Sequence, residues 1–271
     1  MSVTEPKREA SGPTVRVGTS GYSFGDWVGP FYPEGSAPGK MLPFYATQFN
    51  TVEVNFTYYR LPVARISQAM VDRTPEGFSF FVKAHQGFTH ALDLKDKQAF
   101  FDGIAPMREA GRLSGLLFQF PQSFKNTEPS RQYLARLAGE FEGYVSAVEF
   151  RDRSWAVPPA YTFLEDRGLS IVAVDEPAIS TLFPRDALVT GDTGYVRFHS
   201  RDGQKWYQGA VKRYDYFYTD TELKEWVPKI QAIGKRAKSI FVYFNNCHGG
   251  QAAENARSMK RLIQEAGLVL E

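Results

Sequence analysis

The chain has 271 residues, 43% hydrophobic and 23% charged, enough to fill a large core and solvate its surface, which excludes wholesale disorder. Thirty-two Lys and Arg against 30 Asp and Glu leave a formal charge of +2, too balanced to draw a polyanion by the global field. No run approaches the ~20 apolar residues of a membrane span, and the single cysteine, Cys247, excludes an intramolecular disulfide framework and fits a reducing, cytoplasmic setting.

In chain order, residues 1–14 read as a loose polar tail without the apolar stretch of a signal peptide. Short runs rich in Val, Ile and Phe, bounded by Gly, Pro, Asn or Ser, predict buried parallel strands over 15–22, 51–58, 78–86, 114–120, 146–151, 170–175, 194–199 and 239–245. Amphipathic stretches between them predict helices over 40–48, 64–72, 96–110, 130–141, 159–167, 222–235 and 252–266. Tyr133, Leu134, Leu137 and Phe141, for example, fall on one helical stripe. Pro184 and Gly191 break any long helix over 178–193. Eight strands alternating with helices predict an α/β protein, a (β/α)8 TIM-type barrel formed as one domain over 15–271, with an irregular sixth connection.

Alternation along each strand sorts side chains into the barrel or toward the helices. The inward set reads as Glu53, Asn55 and Thr57; Phe81, Lys83 and His85; Leu117 and Gln119; and Ala147, Glu149 and Arg151. On the last three strands it reads as Ile171, Ala173 and Asp175; Tyr195, Arg197 and His199; and Phe241, Tyr243 and Asn245. The series turns polar toward the C-terminal strand ends, where barrel enzymes carry their active sites. Buried charges must pair, hydrate or await a ligand, and Glu53, Glu149 and Asp175 can offset Lys83, Arg151 and Arg197. A structural ion-pair plug is one reading of that inventory, a substrate pocket the other.

VGTSGYSFGDWVGPFYP at 17–33, FNTVEVNFTYYRLP at 49–62 and FVKAHQGFTH at 81–90 resemble the YecE-like family, a domain of unknown function. GLLFQFPQSF at 115–124, AVEFRDRSW at 147–155, and FNN followed by AAENA within 244–256 extend the resemblance over nearly the whole chain. It implies a TIM barrel, linked by structural analogy alone to the endonuclease IV and sugar-isomerase barrels. Those barrels use metals. The four histidines here, His85, His90, His199 and His248, have no HxH or HExxH spacing and share the interior with cations, so no metal site is expected.

An anion site is expected instead. The eighth strand runs through NNCHGG into a helix, so Gly249 and Gly250 could present backbone N–H groups to a phosphate faced by Arg197 and His199, or could simply make the turn. The connection at 200–218 interleaves Arg201, Lys205, Lys212 and Arg213 with Trp206, Tyr207, Tyr214 and other aromatics. That is the composition of a single-strand nucleic-acid surface or of a packed lid. Trp155 would join the aromatic rim. The sequence thus points to a barrel acting on a phosphate-bearing small molecule, a nucleotide or a nucleic-acid end; a non-catalytic nucleic-acid- or protein-binding module is the other class. Glu149 is the candidate general base or acid and His199 the candidate proton shuttle, with Asp175 the third member of the catalytic set. Glu53, Asn55, Lys83, His85, Gln119, Arg151, Trp155, Arg197, Asn245, Gly249 and Gly250 are the candidate ligand contacts. No membrane partner is expected, and the motifs name no cofactor.

Overall fold

The computed structural model describes residues 12–271. The tail expected over 1–14 therefore lies outside the described residues except at its end, where Thr14 already belongs to the first strand. The strands are β1 (Thr14–Thr19), β2 (Thr51–Val54), β3 (Ser79–Lys83), β4 (Leu113–Gln119), β5 (Ser146–Glu149), β6 (Leu169–Asp175), β7 (Thr193–Phe198), β8 (Ser239–Phe244) and the short β9 (Val269–Leu270). Helices α1 (Pro38–Tyr45), α2 (Phe56–Tyr59), α3 (Ala64–Asp72), α4 (Gln86–Thr89), α5 (Lys97–Glu109) and α6 (Glu128–Glu140) fill the first half. Helices α7 (Pro158–Glu165), α8 (Ala210–Arg213), α9 (Asp220–Lys224), α10 (Val227–Gly234) and α11 (Gln251–Glu265) fill the second. No helix joins β6 to β7, the irregular connection the sequence predicts.

All strand pairs are parallel, in the order β2-β3-β4-β5-β6-β7-β8-β1-β9, so the sheet curls into a TIM-like α/β barrel. β9 was not foreseen; it adds to β1 at the sheet's outer edge. Between β1 and β2 the ladder shrinks to one bridge, Ser20 to Glu53, with Gly21 N–H donating to Glu53 O at 2.8 Å. The hydroxyl of Tyr45, at the end of α1, bridges the rest of that seam. It accepts from Thr19 N–H at 2.9 Å and donates to Thr51 O at 3.1 Å. Gly18 permits this approach, because a Cβ there would lie 2.4 Å from Thr51 O and 3.0 Å from the Tyr45 hydroxyl. Burial outweighs the Thr19 contacts, which act the other way, and holds the Tyr45 phenol above its ordinary pKa, so it stays neutral and can donate.

The barrel interior is layered. Phe81, Tyr195, Phe241 and Tyr243 form an edge-to-face cluster in its middle. Gly115 opposite Phe81 leaves room for that ring, since a Cβ would meet it at 2.5 Å. Above this aromatic layer the lining becomes charged. Outside, α11 packs Ala252, Ala253, Ala256, Met259 and Ile263 against β1 and β8, small residues giving close helix-to-sheet approach. Asn255 on the same helix is buried and accepts from Tyr218 N–H at 3.1 Å, anchoring the end of the long connection that follows β7.

Candidate functional site

Pairing registers fix which side chains enter the barrel. Glu53 is beside Phe81, Lys83 beside Leu117, Gln119 beside Glu149, and Arg197 beside Tyr243, so their predicted inward orientation holds. β6 corrects the expectation. Ala147 pairs with Ser170 and Val172 with Tyr195, so Ser170, Val172 and Val174 face inward while Ile171, Ala173 and Asp175 face the helices. Asp175 accepts from Tyr218 hydroxyl at 3.0 Å, Trp226 Nε1 at 2.6 Å and Arg201 Nη2 at 2.7 Å. It is a structural acceptor behind the sheet and is removed from the catalytic set. Its neighbour Glu176 supplies the inward carboxylate.

The resulting network is fully buried. Arg197 Nη2 is 2.7 Å from Glu53 Oε1 and its Nη1 is 2.5 Å from Glu149 Oε2, while Tyr195 hydroxyl donates to Glu53 Oε2 at 2.6 Å. Arg151 Nη2 lies 2.9 Å from Glu149 Oε1, and Nη1 lies 2.8 Å from Glu176 Oε2. Burial alone would raise the Glu149 pKa, but Arg197 and Arg151 outweigh it and hold the carboxylate well below its usual range. Burial lifts Glu176 to about 8 despite Arg151, because Glu149 competes for the same guanidinium. His199, buried beside Arg151, is held well below its ordinary pKa and is neutral. Its Nε2 lies 3.2 Å from Glu149 Oε1, and Asn245 Nδ2 donates to its Nδ1 at 3.1 Å. Glu53, Glu149, Arg197, His199 and Asn245 thus form the ion-paired support beneath a cavity.

That cavity, about 510 Å³, opens at the C-terminal strand ends. Lys83, Gln119 and Arg151 form its floor, Tyr58, Tyr59 and His90 one wall, and Trp206, Tyr207, Arg213 and Tyr214 its roof. Lys83 Nζ donates to Gln119 Oε1 at 3.1 Å and lies 4.4 Å from the Tyr58 ring centroid. Burial and then the Arg197 charge lower the Lys83 pKa to about 7. Burial and then Lys83 lower the His90 pKa, and His90 Nε2 is 3.2 Å from the Tyr58 hydroxyl.

The roof settles the order within the connection after β7. Arg201 is tied down by Asp175 and lies 3.0 Å from Glu225, so it anchors the connection instead of facing solvent. Trp206 is 2% exposed, its ring 5.1 Å from both the Arg151 and Arg213 guanidinium carbons. It is a buried ring against which both guanidinium groups pack, not an open stacking surface. Lys205 lies 3.4 Å from Asp215, and Lys212 is exposed on α8, donating to Gln208 Oε1. Tyr207 hydroxyl reaches Gln122 Oε1 at 3.3 Å on the far rim. Of the residues named for a single-strand surface, Trp206, Tyr207, Arg213 and Tyr214 line the cavity, and Arg201, Lys205 and Lys212 do not.

Four other expectations are corrected. His85 ends β3's run by capping α4, its Nδ1 accepting from Gly87 N–H at 3.2 Å. Trp155 is buried, stacked on Phe150 with ring centroids 4.2 Å apart and donating to Phe124 O, so it is core. Asn55 starts α2 and faces a separate cavity, of about 440 Å³, between Tyr22, Phe24 and Ile66. Gly249 and Gly250 make the turn into α11, and Gly249 N–H already donates to Asp26 Oδ2 at 2.7 Å. A carboxylate from the first loop fills the position expected for phosphate. Among the described residues no group of three or more His, Cys, Asp or Glu is arranged to hold a metal ion. Nor is any helix there long and apolar enough to cross a membrane.

Tyr58, Tyr59, Gln122 and Glu176 escape the sequence reading, and His90 enters it only as a histidine without metal-ligand spacing. The FTYY run was visible, but as an extended strand; as helix α2 it turns both tyrosines onto the cavity wall.

The family described as "Protein of unknown function DUF72" matches residues 16–270. The chain is 32% identical over 269 residues to the UPF0759 protein YunF of Bacillus subtilis (strain 168), covering 92% of this chain and 94% of that protein. The crystal structure of a DUF72 family protein from Thermotoga maritima MSB8 superposes with a TM-score of 0.87 at 40% identity, over 93% of this chain and 99% of that one. A DUF72 family protein from Enterococcus faecalis V583 gives 0.82 at 28% identity, over 93% and 96%. A methyltransferase from Methanosarcina mazei, at 0.51 and 14% identity, shares the fold alone.

Proposed function

The chain belongs to DUF72, a family of unknown function, and we propose that its cavity takes a small phosphate-bearing ligand with a sugar or planar ring. One observation carries this reading: Lys83, Arg151 and Arg213 line the cavity, and among the described residues no carboxylate does. The matching acids, Glu53, Glu149 and Glu176, are drawn behind the wall. Partly desolvated cations of one sign favour a dianion, and guanidinium forks hold phosphate oxygens with directed bonds. The faces of Tyr58, Tyr59, Tyr207 and Tyr214 suit a ring, and the volume suits a nucleotide or a sugar phosphate.

Roles follow from position. Arg151 and Arg213 hold the anion, and Lys83, with a pKa of about 7, can take or give a proton at neutral pH. Glu149, locked between two arginines, is a positioning residue for Arg151 rather than a general base. Asn245 orients the His199 ring, whose Nε2 lies against Glu149 behind the same guanidinium. The buried Trp206 and the ion-paired Arg201 favour a terminal phosphate or mononucleotide over an extended single strand.

Calorimetric titration tests this with ribose 5-phosphate against ribose. The phosphate ester is expected to bind and the neutral sugar not to. Arg213→Ala should weaken binding by about 1.5–3 kcal/mol, the value of a hydrogen bond to a charged group. Lys212→Ala, one residue away but outside the cavity, should leave it unchanged. Equal binding of ribose, or an unaffected Arg213→Ala variant, would overturn the reading.

A further inference from the structure

A lysine on a barrel strand can do more than attract charge. Lys83 sits at the end of β3 with its amine facing the cavity, no carboxylate among the lining residues, and the Tyr58 ring 4.4 Å from it. Its one hydrogen-bond partner among the described residues is the neutral amide of Gln119. The hydroxyl of Tyr58, on the same wall, is linked to His90, a histidine that burial and Lys83 keep neutral. An amine needed only to bind an anion gains nothing from such company, since it holds charge best beside a carboxylate. Burial and the Arg197 charge outweigh the Tyr58 ring face and the more distant Glu53 and Glu149 in favouring the neutral amine, and a neutral amine is a nucleophile.

We propose that Lys83 is an imine-forming nucleophile for a small carbonyl compound bearing an anionic group, with Arg151 and Arg213 holding the anion. This rests on the anion reading above and names the reactive group of the ligand. The Nζ lone pair adds to the carbonyl carbon while the carbonyl oxygen takes up a proton and the nitrogen loses one. The carbinolamine then expels its oxygen as water, with one further proton delivered to that oxygen and one lost from nitrogen, leaving a C=N bond. No oxidant or reductant enters. Tyr58 hydroxyl and His90 form the proton path on the cavity wall, and Gln119 orients the amine.

The probe is pyridoxal 5′-phosphate, an aromatic aldehyde carrying a phosphate, used on the full chain with borohydride to fix any imine and peptide mapping to locate it. Pyridoxine 5′-phosphate, which lacks the carbonyl, reports the anion cradle alone by calorimetry. At pH 7 about half of Lys83 is free amine at a pKa of about 7, against about one part in 3,000 for a lysine at 10.5. Lower basicity returns part of that advantage, so trapping at Lys83 is expected to exceed that at the exposed Lys125 by about tenfold or more. Inorganic phosphate should slow it, and Lys83→Met should abolish that adduct while surface adducts remain. Binding of pyridoxine 5′-phosphate without preferential trapping at Lys83 would overturn the nucleophile and leave the anion reading standing. If neither pyridoxine 5′-phosphate nor phosphate binds, the anion reading fails, and this proposal fails with it.

Discussion

Glu176 shows how a single buried group can set a pH dependence. It shares Arg151 with Glu149, and only one of the two carboxylates is stabilised as an anion. Its pKa rises from 4.5 to about 8 in the fold, so the native state keeps a proton that the unfolded chain has already released. Stability from this group is present below pH 4.5 and is lost as pH rises toward 8. Glu176→Gln keeps the shape and removes the titration. Thermal unfolding followed from pH 5 to pH 9 should therefore show the wild type losing more stability than the variant; parallel profiles would contradict the assignment. Lys83, lowered to about 7 from 10.5, acts in the opposite sense, favouring the fold as pH climbs through that window. Comparing Glu176→Gln with the wild type cancels the Lys83 contribution.

Elements decide which of these residues could be read from sequence. β2, β3, β5, β7 and β8 alternate apolar residues with polar or aromatic ones, so parity put Glu53, Lys83, Glu149 and Arg197 on the correct face. β6 reads LSIVAVD, buried on both faces, and parity has nothing to distinguish there. The pairing of Val172 with Tyr195 settles it, and that is a tertiary fact. Helix α2 was hidden for a related reason, since its aromatic residues favour strand as readily as helix. The seam between β1 and β2 carries its own prediction. Tyr45→Phe leaves Thr19 N–H without its bridge and should cost about 1–3 kcal/mol in chemical denaturation. A loss well below that would mean another group, or water, fills the seam. In the connection after β7, Trp206→Ala removes the ring on which Arg151 and Arg213 pack. Amide exchange should then rise across residues 200–218 while the barrel strands keep their protection; uniform loosening would show that the roof also holds the barrel together.

At the scale of the whole molecule, one arginine joins opposite sides of the barrel. Arg197 on β7 reaches Glu53 on β2 and Glu149 on β5, so its charge offsets acids from two distant strands. Removing it by Arg197→Met would leave both carboxylates poorly compensated, at an expected cost of about 3–5 kcal/mol in equilibrium unfolding. Little change would mean the network is a plug that packing could replace. The same network explains why the cavity wall is cationic: the acids are spent below it, and Lys83, Arg151 and Arg213 are left facing the opening. A crystal structure with ribose 5-phosphate tests that claim most directly. The account predicts the phosphate between Arg151, Arg213 and Lys83, beneath Trp206 and beside the Tyr58 face. Density for it at the Gly249–Gly250 turn instead, or an empty cavity at saturating ligand, would contradict it.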